Sequence, residues 1–273
     1  MIRLIFSDMD GTLLDENGQM PPEFDAVMAR LKERGALFAP ASGRQYYALL
    51  RQMKRYQNEF IFVAENGTFV ARQDEELFSS VMPPAAVQAI LRRADALPDV
   101  FPVLCGKRRA YVRPEWKPYV SNMTQYFTRY EMVDDLTAVA AEQDVIKVAL
   151  CDCAHGEAEQ RIYPAMQGFP ATLKVVLSSN YWVDVMNAGV NKGVAVQELQ
   201  RRLGIAPEEC AAFGDYLNDA EMLAAVGYGF AMENAHPAVK KIARYRALSN
   251  KEHGVMRKLQ ELLEQGKIGG SAR

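Results

Sequence analysis

The stretch Phe6–Asp15, FSDMDGTLLD, runs from apolar residues into two aspartates one position apart, then Gly, Thr and two leucines. Upstream, Ile2–Ser7 reads as a short buried strand of a parallel sheet. Residues two apart in an extended segment point the same way, so Asp8 and Asp10 are expected to converge while Met9 faces away. Two anions held close raise each other's pKa unless positive charge sits between them. A hard divalent cation with oxygen ligands, Mg²⁺ above all, meets that need. Asp also favours turns, so both residues could instead shape the chain leaving the strand; the full string DMDGT weighs against that alone.

A second acidic group repeats the arrangement. Ala211–Phe213 is a small apolar strand that ends in Gly214–Asp215 and then Asn218–Asp219. Ligands of open parallel sheets bind outside the carboxyl ends of the strands. Asp215 is therefore a candidate to complete a metal site, with Asp219 orienting a neighbour. Asn218 or Asp219 can also cap the helix that follows. Two other strand ends bear the same stamp. Ser42–Gly43–Arg44 follows the strand Leu37–Ala41 and opens a helix, a setting that suits a phosphate through backbone N–H groups. Lys192, in Asn191–Lys192–Gly193, stands in the first turn of a helix, where the helix dipole opposes its charge; pairing with phosphate or carboxylate would account for that position.

The wider pattern gives the fold class. A helix runs from Pro21–Pro22 to Arg34, with Gly35 stopping it. Leu37–Ala41 is a second strand, Arg44–Arg55 a helix with Tyr47, Leu50 and Met53 at helical spacing, and Phe60–Ala64 a third strand. This βαβαβ order predicts an α/β fold with a doubly wound parallel sheet. The rhythm then changes. Thr68–Ala71 and Leu77–Ser80 read as a hairpin. Helices are predicted near Pro84–Leu97, Pro114–Phe127 and Glu157–Gln167. Strands are predicted near Val100–Cys105, Ala110–Val112, Val145–Cys151, Thr172–Leu177 and Trp182–Met186. Alternation resumes with the helix Lys192–Leu203, the strand Cys210–Phe213, the helix Asn218–Ala225 and the strand Tyr228–Met232. The expectation is a discontinuous core, residues 1–82 with 188–273, into which an αβ cap, residues 83–187, is inserted. The Gly-rich tail from Gly266 should fray.

Composition narrows the class. The 273 residues suggest one large or two medium domains. Net charge is −2, too small to recruit nucleic acid or an acidic membrane. No apolar run reaches the roughly 18 residues of a membrane helix, and Asp8 and Asp10 interrupt the N-terminal apolar stretch too early for a signal peptide. Reduced thiols in the cytoplasm are the expectation for the 4 cysteines.

With these residues in view, the chain resembles the haloacid dehalogenase superfamily, and within it the Cof-type sugar phosphatases. DMDGT at Asp8–Thr12, Ser42 in ASGR, Lys192 in NKG and GDYLND at Gly214–Asp219 match its motifs in order, and FVAENG at Phe62–Gly67 is similar to this subfamily. Tyr216 departs from the pattern, because many relatives carry a small or polar residue there; the rim of the site is where this should show. The resemblance implies that Asp8 is the nucleophile and Asp10 the general acid and base. It implies Mg²⁺ held by Asp8, the backbone carbonyl of Asp10, and Asp215. Thr12, Ser42 and Lys192 would hold phosphoryl oxygens, with Gly43 and Arg44 beside them. Asn218 would support the phosphate, and Asp219 would anchor Lys192 or the metal shell. The implied activity is hydrolysis of small phosphorylated metabolites, most of all sugar phosphates, by a monomer or weak homodimer. A phosphomutase shares the same nucleophile and acid/base, and phosphate release without a bisphosphate activator separates the two. A non-catalytic metabolite-binding regulator is the rival of another class, separated by turnover of an aryl phosphate.

Other signals carry less. Cys151, Cys153 and His155 in CDCAH offer zinc-ligand chemistry, but the spacing is not a common zinc pattern. Lys107–Arg109 with Arg113 and Lys117 reads as a solvated basic hairpin. Tyr47 is expected in the core, with Tyr46 and Arg44 lining the site. In the cap, Asp184 is the candidate for sugar hydroxyls, ahead of Asn180, Trp182 and Asn187.

Overall fold

A computed structural model describes residues 1–119, 123–124 and 126–269. The chain divides into two compact units, one of Met1–Ser42, Arg55–Phe78 and Asn191–Arg273, the other of Gly43–Lys54 and Ser79–Val190.

The first unit is built on an eight-stranded sheet. Its order is Tyr245–Ala247, Tyr228–Met232, Cys210–Gly214, Leu4–Asp8, Leu37–Ala41, Phe62–Ala64, Phe69–Arg72, Glu75–Ser79. Pairing is parallel as far as Phe62–Ala64 and turns antiparallel at Phe69–Arg72. Leu4, Ile5 and Phe6 are all wholly buried, as are Ala211, Ala212 and Phe213. Such continuous apolar runs are what a parallel strand covered on both faces requires. The helix Phe24–Glu33 buries Phe24, Val27, Met28 and Leu31, one stripe at helical spacing. Phe24 meets Phe38, Tyr56 and Phe60 edge-on, and Tyr56 stacks on Phe60 at 4.6 Å. Truncating one of these large side chains to Ala would cost about 3–5 kcal/mol.

The register matters most for chemistry. Asp8 lies opposite Ala41 on one side, and Ser7 opposite Phe213 on the other. The carboxyl ends of three adjacent parallel strands therefore deliver Asp8, Ser42 and the Gly214–Asp215 turn to one edge of the sheet.

The second unit holds a six-stranded sheet in the order Leu173–Leu177, Trp182–Asn187, Val145–Cys151, Phe101–Gly106, Ala110–Val112, Tyr130–Met132. Its neighbours pair antiparallel except the last two, which are parallel. Side chains alternate between the two faces. Leu104, Tyr111, Val148, Leu150, Val183 and Val185 share a core with Val87, Ile90 and Leu91 of the helix Pro84–Ala94 and with Leu136 and Ala140 of the helix Leu136–Glu142. The alternation puts Lys147, Ala149, Trp182 and Asp184 on the opposite face.

Several sequence expectations shift. Residues 43–54 group with 79–190 rather than with the parallel-sheet unit, and the reason is polar: Lys147 Nζ donates to the Gly43 carbonyl at 3.1 Å, and Gln45 Nε2 to that of Arg129 at 2.9 Å. The helix expected over Arg44–Arg55 is Tyr46–Gln52 plus a short 3-10 turn at Lys54–Tyr56. Its buried residues are Tyr46, Ala48 and Leu49; Tyr47 is half-buried beneath the Arg129 guanidinium, the reverse of the expected roles. Pro114–Phe127 opens as a 3-10 segment, Pro114–Tyr119, because Pro118 lies inside it, and residues 120–122 and 125 of that expectation lie outside the described residues. Glu157–Gln167 shortens to the helix Ala158–Arg161. The structure adds the helix Leu136–Glu142, capped by the Asp135 carboxylate, together with Tyr130–Met132, Pro237–Ile242, Tyr245–Ala247 and the helix Gly254–Glu264.

The cysteine reading also changes. Cys151 and Cys153 form a disulfide, while Cys105 and Cys210 are free and buried. Pairing within CDC removes both thiols from zinc chemistry, and His155 faces Asp99 at 3.5 Å instead. The basic hairpin is ion-paired: Lys107 with Asp144, Arg109 with Glu131, Arg113 with Asp95. No helix among the described residues is long and apolar enough to cross a membrane.

Candidate active site

The strand Leu4–Asp8 ends with Asp8 buried, and the chain then kinks. Asp10 adopts an extended conformation and Gly11 a positive φ of 81°. Asp8 is buried, while Asp10, just beyond the strand end, is exposed, and its charge still acts on Asp215. The carboxylates that gather within 4.8 Å of one another are those of Asp8, Asp215 and Asp219.

Lys192 organises this group. It is wholly buried in the first turn of the helix Lys192–Leu203, whose N-cap Asn191 accepts from the Val194 N–H at 2.9 Å. Its ammonium donates to Asp8 Oδ1 at 2.5 Å and to Asp219 Oδ1 at 2.6 Å. Burial works against the charged ammonium, but Asp219 and Asp8 outweigh it and lift its pKa above the ordinary value. The other Asp219 oxygen accepts from the backbone N–H groups of Asp215 and Tyr216, at 3.0 and 3.1 Å. Both Asp219 oxygens are thus engaged, one by Lys192 and the other by the Asp215–Tyr216 backbone.

The electrostatics of Asp8 and Asp215 suit a cation. Burial, then Asp219, holds the Asp8 carboxyl well above its usual range, with Asp215 adding to the effect. Burial and Asp219 likewise push Asp215 up to about 6, against a lowering hydrogen bond from Thr12. One lysine does not neutralise three clustered carboxylates, so the donor set fits an added hard cation.

Thr12 Oγ1 donates to Asp215 Oδ1 at 2.8 Å, joining the first motif to the last. Ser42 is buried; its N–H donates to the Val63 carbonyl and its own carbonyl accepts from the Asn66 N–H. Asn218 donates through Nδ2 to Asn66 Oδ1 at 3.1 Å. Gly43, Arg44 and Asp184 belong to the second unit. There the Arg44 guanidinium donates to Gln52, and Asp184 is buried, accepting from Ser178 Oγ at 2.7 Å beside Lys147 Nζ at 3.4 Å. Of the weaker cap candidates, Trp182 is buried and stacks on Trp116, while Asn187 donates to Ser80 Oγ. Two buried polar residues carry only a faint sequence signal: Asn66, within FVAENG, and Lys147 in the second unit. A polar pair of successive residues before a Gly was the available signal for the first. A lone Lys inside the apolar run VIKVAL was the signal for the second.

Tyr216, at the position where the sequence departs from the family pattern, is 44% exposed and meets the His236 ring edge-on at 5.9 Å, while the His236 N–H donates to the Asp215 carbonyl. An aromatic side chain thus stands next to the acidic group.

The family model for haloacid dehalogenase-like hydrolases matches residues 5–259. A phosphatase of Escherichia coli K12, named for 5-amino-6-(5-phospho-D-ribitylamino)uracil, is 32% identical over 96% of this chain and 97% of its own. An HMP-PP phosphatase of Serratia proteamaculans is 31% identical over 89% of this chain and 88% of its own. Among solved structures, a Streptococcus mutans UA159 protein superposes with a TM-score of 0.85 at 27% identity, covering 97% of this chain and 100% of its own. One from Thermotoga maritima gives 0.83 at 25% identity, covering 96% and 97%. Residues Asp8 to Asp219 thus sit on a fold shared along nearly the whole chain, and the protein belongs to the haloacid dehalogenase-like hydrolase family.

Proposed function

We propose that the chain is a Mg²⁺-dependent phosphatase of small phosphorylated metabolites, working in the cytoplasm through a phosphorylated aspartate. The observation that carries this reading is the buried Lys192 ammonium between Asp8 and Asp219, beside Asp215 at the ends of adjacent parallel strands. An oxygen of Asp8 attacks phosphorus, and the bond to the leaving oxygen breaks as Asp10 gives that oxygen a proton. Asp10 then takes a proton from water, the water oxygen attacks phosphorus, and Asp8 departs as a carboxylate with release of inorganic phosphate. The exposure of Asp10 suits a group that exchanges protons with water, and the burial of Asp8 suits a nucleophile. Mg²⁺ held by Asp8, Asp215 and the Asp10 backbone carbonyl would offset the negative charge of the phosphoryl group. Lys192, wholly buried, adds a fixed positive charge.

Sugar phosphates are the substrates we assign, with residues 83–187 as the specificity-bearing cap. A second reading within this class follows from Tyr216 and from the named substrate of the E. coli relative, a sugar-alcohol phosphate borne on a uracil ring. Aromatic side chains stack on such rings. Hydrolysis of 4-nitrophenyl phosphate with Mg²⁺, abolished in Asp8→Asn, tests the activity. A panel of hexose, pentose and pyrimidine-linked polyol phosphates then tests the substrate: loss of the pyrimidine preference in Tyr216→Ala supports the second reading, and hexose phosphates ranking first supports the first.

A further inference from the structure

The segment Glu65–Gly67 has no assigned task, yet it carries three successive residues with positive φ, 50° at Glu65, 57° at Asn66 and 89° at Gly67. Glu65 and Asn66 pay for a left-handed conformation that non-glycine residues seldom adopt, and such strain persists only where the surroundings enforce it. Here they do. The Asn66 N–H donates to the Ser42 carbonyl at 3.0 Å. Asn66 Oδ1 accepts from Asn218 Nδ2 at 3.1 Å. A Cβ on Gly67 would lie 2.4 Å from the Asn191 carbonyl oxygen and 2.9 Å from the Lys192 nitrogen, so the backbones are in direct contact. All three residues are buried. One strained turn therefore touches the segments that carry Ser42, Lys192 and Asn218, which lie far apart in sequence.

We propose that Asn66 is a positioning residue for phosphate recognition, acting through Asn218. The inference rests on the phosphatase reading of the same site. Because Asn218 Nδ2 donates to Asn66 Oδ1, the Asn218 amide is held in one orientation, and its second Nδ2 hydrogen is aimed as a donor for a phosphoryl oxygen. The turn's backbone contacts set the spacing of Ser42 and Lys192 independently of the Asn66 side chain. The side chain thus has a separable function, and Gly at position 66 isolates it: glycine keeps the N–H to Ser42 and accepts the positive φ without cost.

The test is a double-mutant cycle of Asn66→Gly and Asn218→Ala, read as kcat/KM on 4-nitrophenyl phosphate with Mg²⁺ and as the calorimetric Kd for inorganic phosphate. Each single variant is expected to lose about tenfold in kcat/KM, and the double variant to fall no more than about twofold below Asn218→Ala, because residues that act as a unit are not additive. Phosphate affinity should follow the same pattern, with the melting temperature of Asn66→Gly within a few degrees of wild type, because relief of the positive φ offsets part of glycine's greater chain entropy. An additive loss of about a hundredfold in the double variant, or full activity in Asn66→Gly, overturns the proposal. A wild-type protein that binds phosphate without turning over the ester would refute the phosphatase reading instead, and the cycle in Kd would still decide the role of Asn66.

Discussion

Lys192 Nζ lies 2.5 Å from Asp8 Oδ1 and 2.6 Å from Asp219 Oδ1, with the ammonium wholly buried. A buried cation between two carboxylates cannot be removed from one side without leaving unpaired charge. Lys192→Met should therefore abolish turnover and also destabilise the fold by about 3–5 kcal/mol, read from urea midpoints. Adding Asp8→Asn to that variant removes one of the stranded anions and should recover part of the loss. A Lys192→Met protein with a wild-type midpoint would show that the ammonium is not the charge holding this group together.

Asp215 makes stability depend on pH in a sense opposite to an ordinary salt-bridged carboxylate. Folded, it keeps its proton up to about 6; unfolded, it releases it near 3.8. Between those values the folded state binds more protons, so stability falls as pH rises from about 4 to about 6 and levels off above. The contribution reaches about 3 kcal/mol at most. In EDTA, the melting temperature of the wild type should decline across that window, and Asp215→Asn should flatten the decline. On the proposed reading Asp215 would hold Mg²⁺ in its ionised form, so adding Mg²⁺ above pH 7 should raise the melting temperature of the wild type and leave Asp215→Asn little changed. An identical pH slope in the two proteins would place the titration elsewhere.

Gly11 offers a way to disturb the acidic group without touching a carboxylate. Its φ is 81°, and a Cβ there would lie 2.4 Å from Asp215 Oδ2. Gly11→Ala therefore combines backbone strain with displacement of that oxygen. The Mg²⁺ concentration giving half-maximal activity should rise about tenfold or more, in line with other disturbances around metal ligands. Titration of activity with Mg²⁺ measures it, and an unchanged half-maximal concentration would exclude Asp215 as a ligand.

What could be read from sequence was the part governed by short-range pattern. Leu37–Ala41, Ala110–Val112, Val145–Cys151 and Tyr228–Met232 are apolar runs bounded by turn residues, and their limits match the structure. Acidic residues at strand ends likewise point to Asp8, Asp215 and Asp219, whose carboxylates lie within 4.8 Å of one another. The failures have physical causes. The strand ends at Asp8, so the strand pattern does not extend to Asp10, and the chain then turns through the positive φ of Gly11. Asp10 and Asp8 thus differ in burial although they differ little in sequence context. The helix Gly254–Glu264 buries Val255, Met256, Leu259, Leu262 and Leu263 at helical spacing, an apolar stripe that carries no chemical motif. Lys147 and Asp184 lie 37 positions apart, and only the pairing of their strands, Asp184 opposite Ala149, makes them neighbours.

That last pair permits a prediction within the second unit. Lys147 and Asp184 are 2% and 4% exposed, with Nζ and Oδ1 at 3.4 Å; Ser178 Oγ donates to the other Asp184 oxygen, and Lys147 also donates to the Gly43 carbonyl. Losing either charge leaves the other buried and short of its partner, so Lys147→Met and Asp184→Leu should each cost about 3 kcal/mol or more. Two apolar side chains of similar size dispense with both desolvation penalties, so the double variant should regain most of that loss, a coupling of at least about 1.5 kcal/mol. Urea midpoints of the two single variants and the double provide the measurement. Asp184 was also the sequence candidate for substrate hydroxyls. If it serves there, the stabilised double variant should still hydrolyse 4-nitrophenyl phosphate, which has no sugar hydroxyls, while losing its selectivity among hexose and pentose phosphates. Additive single losses would show the pair to be uncoupled, and an unchanged sugar profile would confine Asp184 to holding the sheet together.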